Sequence, residues 1–289
     1  MEIISTAYNN DELNKIIDYA DGFILMIKPY SVAYKDINLD EAIKLLKANN
    51  KKIILGINKI FHPFEIDEIK GFINKYKNDD IYYYISDLGI ANILIDLGLN
   101  NKIIYNPETM ITNYLDLSLL MTFNFNAYQM SSEITLNDLK LAYEKTNSNL
   151  AYFGFGKKIM FYSKRKLLSL YSNKTNIDMP KENGYLKETT RNDYIPITEN
   201  VNGTYILRPY AISLLEDIDS LSFLKYMILD SNYIDFNDYI KVLNTYYDYN
   251  NKKISLNMAL DTINNLNLLI EDGFKNNDTV YLKEELKNV

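Results

Sequence analysis

Five cations fall within ten residues of this chain: Lys157, Lys158, Lys164, Arg165 and Lys166. Lysine and arginine neutralise phosphate without reading sequence. The run Tyr162-Ser163-Lys164-Arg165-Lys166 is therefore a candidate phosphate clamp, with Tyr162 offering a face on which a base can stack. The plain alternative is a solvated turn beside one more rim tyrosine, in a chain that has 26 of them. Four other residues suit proton transfer. His62 is the only histidine, and its ordinary pKa lies nearest neutrality. Asp87, Glu108 and Glu133 each follow an apolar run, where a carboxylate can act as acid, base or metal ligand. Their plain alternative is a place at a helix start: His62 precedes Pro63, and the helix dipole favours acids at N-termini. Gly154-Phe-Gly156 lacks the third glycine of a dinucleotide fingerprint and reads as a close backbone approach within a strand.

Several chemistries are excluded. With no cysteine, the chain has no disulfide, no thiolate metal site, no ligands for an iron–sulfur cluster and no cysteine nucleophile. One histidine argues against a histidine-held metal or a Ser-His triad, and neither HExxH nor Gly-x-Ser-x-Gly occurs. No bound metal or cofactor is expected. The formal charge of −7 argues against a basic nucleic-acid coat, although a local patch can still hold phosphate. The start, Met1-Glu-Ile-Ile-Ser, has no basic-then-apolar leader pattern, and no stretch is long and apolar enough for a membrane span. The expectation is a cytoplasmic protein with no membrane partner.

The elements that must position these side chains alternate. Ile3–Ala7, Gly22–Ile27, Lys52–Ile60, Ile81–Ser86, Lys102–Tyr105, Asn126–Met130 and Leu150–Phe155 read as strands. Between them, Asp11–Tyr19, Leu39–Ala48, Phe64–Tyr76, Leu88–Leu97, Met110–Met121 and Leu136–Thr146 carry helical apolar spacing. Asn38 and Thr135 are N-caps, the latter with Asp138 in capping-box position. Such alternation implies parallel strands with right-handed crossovers. Seven units predict a TIM-like (β/α) barrel, because closure leaves no edge strand. A chain of 289 residues accommodates one such barrel, which typically needs about 250. Residues 172–207 break the rhythm and predict an inserted excursion, with a hairpin at Asn202-Gly203. Phe223–Leu229 reads as the eighth strand, and Asp235–Tyr247 and Ser255–Ile270 as terminal helices in a single domain spanning 1–289.

The segment Ala151–Tyr171 resembles the signature of the collagenase-like peptidase family U-32, which in cluster-bearing members reads roughly "HGALCVSYSGRCLLSSY". Gly156, Tyr162, Ser163, Arg165, Leu167, Leu168 and Tyr171 match it. The family histidine falls on Phe155, and its two cysteines on Ile159 and Lys166. Tyr194–Leu207 resembles the family's "YFPIEEDERGTYILNS". Weaker likenesses lie at Asn58–His62, Ser86–Ile90, Asn106–Thr109 with Asn113, Ser131–Glu133 and Ser222–Lys225, where the family arginine falls on Ser132, its glutamate on Met227 and a second arginine on Leu229. Asp272–Phe274 and Thr279-Val-Tyr resemble the ending of shorter members.

The resemblance covers nearly the whole chain and implies a barrel-like fold and work on RNA or small aromatic precursors. It is closest to the shorter, cysteine-free members of bacterial pairs implicated in 5-hydroxyuridine formation at the wobble position of transfer RNA, with prephenate as a pathway co-substrate. The partners implied are transfer RNA and a cluster-bearing paralogue. Two rivals stand beside this reading: a peptidase or other hydrolase, and a barrel that binds an anionic aromatic acid through Arg165 and Lys166.

Overall fold

The computed structural model describes residues 1–190 and 192–276. Eight parallel strands close on themselves: β1 (Glu2–Ala7), β2 (Gly22–Met26), β3 (Lys52–Ile57), β4 (Ile81–Ile85), β5 (Ile103–Tyr105), β6 (Ala127–Gln129), β7 (Leu150–Gly156) and, after a long insertion, β13 (Tyr226–Leu229). Closure is made by β13, which pairs with β7 (Tyr226↔Ala151) on one side and β1 (Glu2↔Tyr226) on the other. Both faces of these strands are covered, so they read as unbroken apolar runs. Ile4, Ile24, Ile54, Ile104, Ala127, Ala151 and Ile228 fill the barrel. Their neighbours Ile3, Phe23, Leu25, Ile53 and Leu55 turn outward against the helices.

The helices start where side chains can satisfy free backbone donors. Among the described residues they are α1 (Asn10–Ile16), α2 (Leu39–Ala48), α3 (Ile66–Tyr76), α4 (Leu88–Asp96), α5 (Tyr114–Met121), α6 (Leu136–Thr146), α7 (Leu167–Thr175), α8 (Phe236–Asn250) and α9 (Leu256–Asn264). Asn38 accepts from the Glu41 N–H at 3.4 Å, and Thr135 with Asp138 forms the expected capping box of α6. Asn113 caps α5, so that helix starts at Tyr114 and leaves Met110 exposed in the preceding turn.

The insertion is wider than 172–207. It begins with β8 (Ile159–Ser163), which follows β7 after only Lys157 and Lys158. With β9 (Gly184–Lys187), β10 (Tyr194–Asn200) and β11 (Gly203–Leu207) it forms an antiparallel sheet in the order β8-β11-β10-β9. The hairpin stands where Asn202-Gly203 predicts it, with Asn200 opposite Gly203. Gly203 has φ +125°, and a Cβ there would come within 2.0 Å of the Ser163 carbonyl oxygen. Two short strands extend the barrel sheet: β12 (Ala211–Ser213) pairs antiparallel with β7 and parallel with β14 (Ile270–Glu271). The last helix thus ends at Asn264 and does not continue to Ile270. The likeness at Thr279-Val-Tyr lies outside the described residues.

Candidate functional site

All eight strands point their C-terminal ends one way, and there the barrel interior turns from apolar to polar. A cavity of about 50 Å³ opens at this mouth, lined by Thr6, Tyr8, Asn58, Tyr84, Asn106, Glu108, Gln129, Lys158 and Asp230, with Met26, Ala33, Phe153, Ile159 and Ile228 as its apolar wall. Thr6, Met26, Tyr84, Gln129, Phe153 and Ile228 sit on the barrel strands themselves; Tyr8, Asn58, Asn106 and Asp230 are each the first residue beyond one.

Asp230 follows the eighth strand directly. Its Oδ1 accepts from Thr6 Oγ1 at 2.8 Å, the Tyr8 hydroxyl at 2.8 Å and the Asn232 N–H at 3.0 Å. Burial nevertheless raises its carboxyl above the usual range, against the pull of those bonds. Gly156 permits this placement: with φ +130° it brings β7 so near that a Cβ would lie 2.6 Å from the Asp230 carbonyl oxygen. On the far side, Asn106 donates to the Tyr84 hydroxyl at 2.6 Å and to Glu108 Oε1 at 2.9 Å, and Tyr84 donates to Gln129 Oε1 at 2.9 Å.

Glu108 sits in a left-handed turn, φ +59°, that carries its carboxyl back over the mouth. Its side chain is 43% exposed, yet desolvation of the carboxyl raises it, with Lys158 and Asn106 pulling the other way. Lys158 belongs to the two-residue link from β7 to β8 and is only 8% exposed. Its Nζ stands 3.8 Å from Glu108 Oε2, too far for a hydrogen bond, and has no hydrogen-bond partner among the described residues. Burial lowers its pKa, opposed by Glu108 and Glu133.

Beside the cavity, and sharing Tyr8 with it, runs a groove of about 690 Å³ between the barrel mouth and the antiparallel sheet. Tyr34, Tyr205 and Tyr233 line it with Lys28, Lys35, Asp36 and Glu182. Lys28 lies 5.9 Å from the Tyr34 ring centre, and Lys35 5.9 Å from that of Tyr8.

Of the residues singled out from sequence, Glu108 lines the cavity, and Glu133 is exposed at its rim, where it acts on Lys158 through charge. His62 and Asp87 are not among the lining residues. His62 is exposed, precedes a 3₁₀ turn (Pro63–Glu65), donates its backbone N–H to Glu65 and stacks on Phe64. Asp87 caps α4 by accepting from the Gly89 and Ile90 N–H groups.

The basic turn divides. Lys164 is drawn inward to Glu65, which also pairs with the buried Lys59. Burial would raise Glu65, but these two ammonium groups outweigh it and hold the carboxyl at about 2. Arg165 and Lys166 are exposed and make no ion pair among the described residues. Ser163 Oγ accepts from the Arg165 N–H. The Tyr162 hydroxyl donates to the Asn202 carbonyl at 2.9 Å, which ties β8 to the hairpin, and burial pushes its pKa up to about 12. Sequence reasoning passed over Asp230, Tyr8, Tyr84 and Gln129 as site residues. The available signal was position: Asp230 is the first residue beyond the predicted eighth strand, on the face where barrel sites assemble.

The model of Peptidase family U32 matches residues 31–276. The chain belongs to this family. A relative in Bacillus subtilis (strain 168), tRNA hydroxylation protein P2, is 21% identical over 191 residues, which is 64% of this chain. The chain spans 62% of that relative's length. Among solved structures, the U32 peptidase Mk0906 superposes with a TM-score of 0.53 at 8% identity, over 80% of this chain and 92% of that one. That likeness shows the fold.

The cluster carried by other members of the U32 family does not fit this chain. One of its cysteine positions is Ile159, in the cavity wall, and another is Lys166, exposed before α7. No cysteine exists elsewhere in the sequence. Among the described residues, no group of three or more His, Cys, Asp or Glu is placed to hold a metal ion.

Proposed function

We propose that this U32 member is a component of transfer-RNA hydroxylation. The observation that carries the reading is the groove at the barrel mouth. Half-buried Tyr34 and Tyr233 alternate there with Lys28 and Lys35, the mixture of aromatic faces and cations that suits unstacked nucleotides. The adjoining cavity supplies hydrogen-bonding groups at the depth where a splayed-out base edge would arrive. Arg165 and Lys166 add exposed positive charge outside the groove. The named activity of the Bacillus subtilis relative supplies the reaction class, and the wobble uridine of the anticodon is the target we assign.

Since the chain has no cluster ligands of its own, the oxidation is assigned to a cluster-bearing paralogue, with this chain holding the RNA. The test is nucleoside mass spectrometry of transfer RNA from cells lacking this chain, with and without its return. The expected result is loss of 5-hydroxyuridine and its recovery with the wild-type chain but not with a Lys28→Ala, Lys35→Ala variant. Unchanged 5-hydroxyuridine in the deletion would refute the reading. Cleavage of gelatin peptides by the purified protein, lost in Glu108→Gln, would move it to the hydrolases.

A further inference from the structure

Among the described residues, Lys158 carries the one buried ammonium without a hydrogen-bond acceptor. Its ammonium is more than nine-tenths buried, lines the mouth cavity and has no hydrogen-bond acceptor among the described residues. Burying an ammonium without acceptors is costly. Such groups are completed by ordered water, by an ion or by a ligand, and this one faces a cavity open to the barrel mouth. Glu108, at 3.8 Å, offsets part of the charge but accepts no bond from it. An oxygen acceptor entering from the cavity can reach this ammonium.

We propose that the cavity is a binding site for a small monocarboxylate, anchored through one of its oxygens on Lys158 Nζ. Three features select this class. The donor is a single ammonium, a point charge, with no arginine lining the cavity to grip a phosphate in a fork. Glu108 and Asp230 flank the space and disfavour a dianion, whereas a monoanion adds only as much charge as Lys158 carries. About 50 Å³ holds a planar headgroup, while a larger body can continue past Tyr8 into the groove. This proposal does not rest on the RNA reading, although it concerns the same cavity that a base edge would reach. It differs from the acid-binding alternative drawn from sequence, since Arg165 and Lys166 are not among the cavity's lining residues.

The experiment uses the full chain and ligand-detected NMR saturation transfer with acetate and benzoate, and with benzamide as the neutral isostere of benzoate. Saturation transfer to benzoate or acetate but not to benzamide is expected, with binding weakened roughly tenfold or more in Lys158→Met. The ligand-free Lys158→Met protein should melt no lower than wild type, because the change removes an unsatisfied charge and keeps the stem. Inorganic phosphate should not displace benzoate at equal concentration. Any of four results overturns the proposal: no binding of either acid, equal binding of benzamide, wild-type binding by Lys158→Met, or displacement by phosphate. A markedly lower melting temperature for Lys158→Met would also overturn it, by assigning the ammonium to packing against Glu108. Loss of RNA hydroxylation with acid binding intact, or the reverse, would separate this site from the RNA function.

Discussion

Two lysines are drawn inward at opposite ends of one barrel, and the fold treats them differently. Lys52, at the strand starts, is 18% exposed along its side chain. It donates to Glu2 and to the Tyr226 hydroxyl, and lies 4.5 Å and 5.3 Å from the ring centres of Tyr226 and Tyr82. Tyr226 in turn donates to Asn126 Oδ1 at 2.8 Å. Lys158, at the strand ends, has one loose acid and, among the described residues, no acceptor. Burial disfavours charge at both ends, at Asp21 and Lys225 as at Asp230 and Glu108; the difference lies in the two lysines, one with acceptors and one without among the described residues. In barrels the first pattern belongs to stability and the second to function. For these two lysines, satisfaction of charge separates scaffold from site where burial alone does not.

The largest expected effect tests the closed end. Tyr226→Ala removes a fully buried ring that caps the barrel interior and should cost about 3–5 kcal/mol, read by urea denaturation. A loss near zero would break the view that this end is the structural plug. Next comes the clamp that holds the antiparallel sheet to the barrel. Glu65 is held at about 2 in the fold, so its contribution is fully present above the ordinary carboxylate range and drains away as pH falls from about 4.5 toward 2. Glu65→Gln should lose roughly 2–3 kcal/mol at neutral pH and flatten the acid limb of the stability curve. A parallel acid limb would mean Lys59 and Lys164 do not depend on Glu65.

Lys52→Met should be milder, at about 1–2 kcal/mol, because Glu2 at that end can turn to water. Its sign should be opposite to, or at least distinct from, that of Lys158→Met in the same melting series. The smallest effect is at Asp230. Its folded pKa is raised, so its contribution is greatest at low pH and is lost as pH climbs from the unfolded value through the folded one. Asp230→Asn keeps an oxygen acceptor for Thr6 and Tyr8. It should be neutral or slightly stabilising, within about 1 kcal/mol near pH 7, and should abolish that slope above the ordinary carboxylate range. A destabilisation above that range would place Asp230 with the scaffold.

The barrel was legible in the sequence because strands covered on both faces are written as continuous apolar runs, and because Asn38, Thr135 and Asp138 mark helix starts through local hydrogen bonds. The start of the insertion was less legible. Ile159–Ser163 continues the apolar character of β7, and only Lys157 and Lys158 separate them. The stop of the last helix was hidden too, since Leu266, Leu268 and Leu269 prolong its apolar spacing beyond Asn264. Glu108 could be found because it follows a strand. The meaning of Lys158 could not, because nearby Lys164 looks the same in a charge run, and only the folded chain brings Glu65 to one and no acceptor to the other. Tyr162 illustrates the converse: its sequence context suggests stacking, while its hydroxyl is engaged by the hairpin 40 residues on.

The insertion between β7 and β13 also sets a timetable for synthesis. The ribosome must add roughly seventy residues after Gly156 before Tyr226 emerges. At about 5–20 residues per second, that leaves β1 and β7 without their closing neighbour for several seconds or more. Any sheet that forms in this interval lacks the strand that pairs with both β1 and β7 and so keeps two open edges, which are prone to pairing with another chain. The antiparallel sheet is made within that window. Its tether from Lys164 to Glu65 reaches the strand-three loop, which is already synthesised. The inserted sheet is thus available to shelter the unfinished mouth until the last strand arrives.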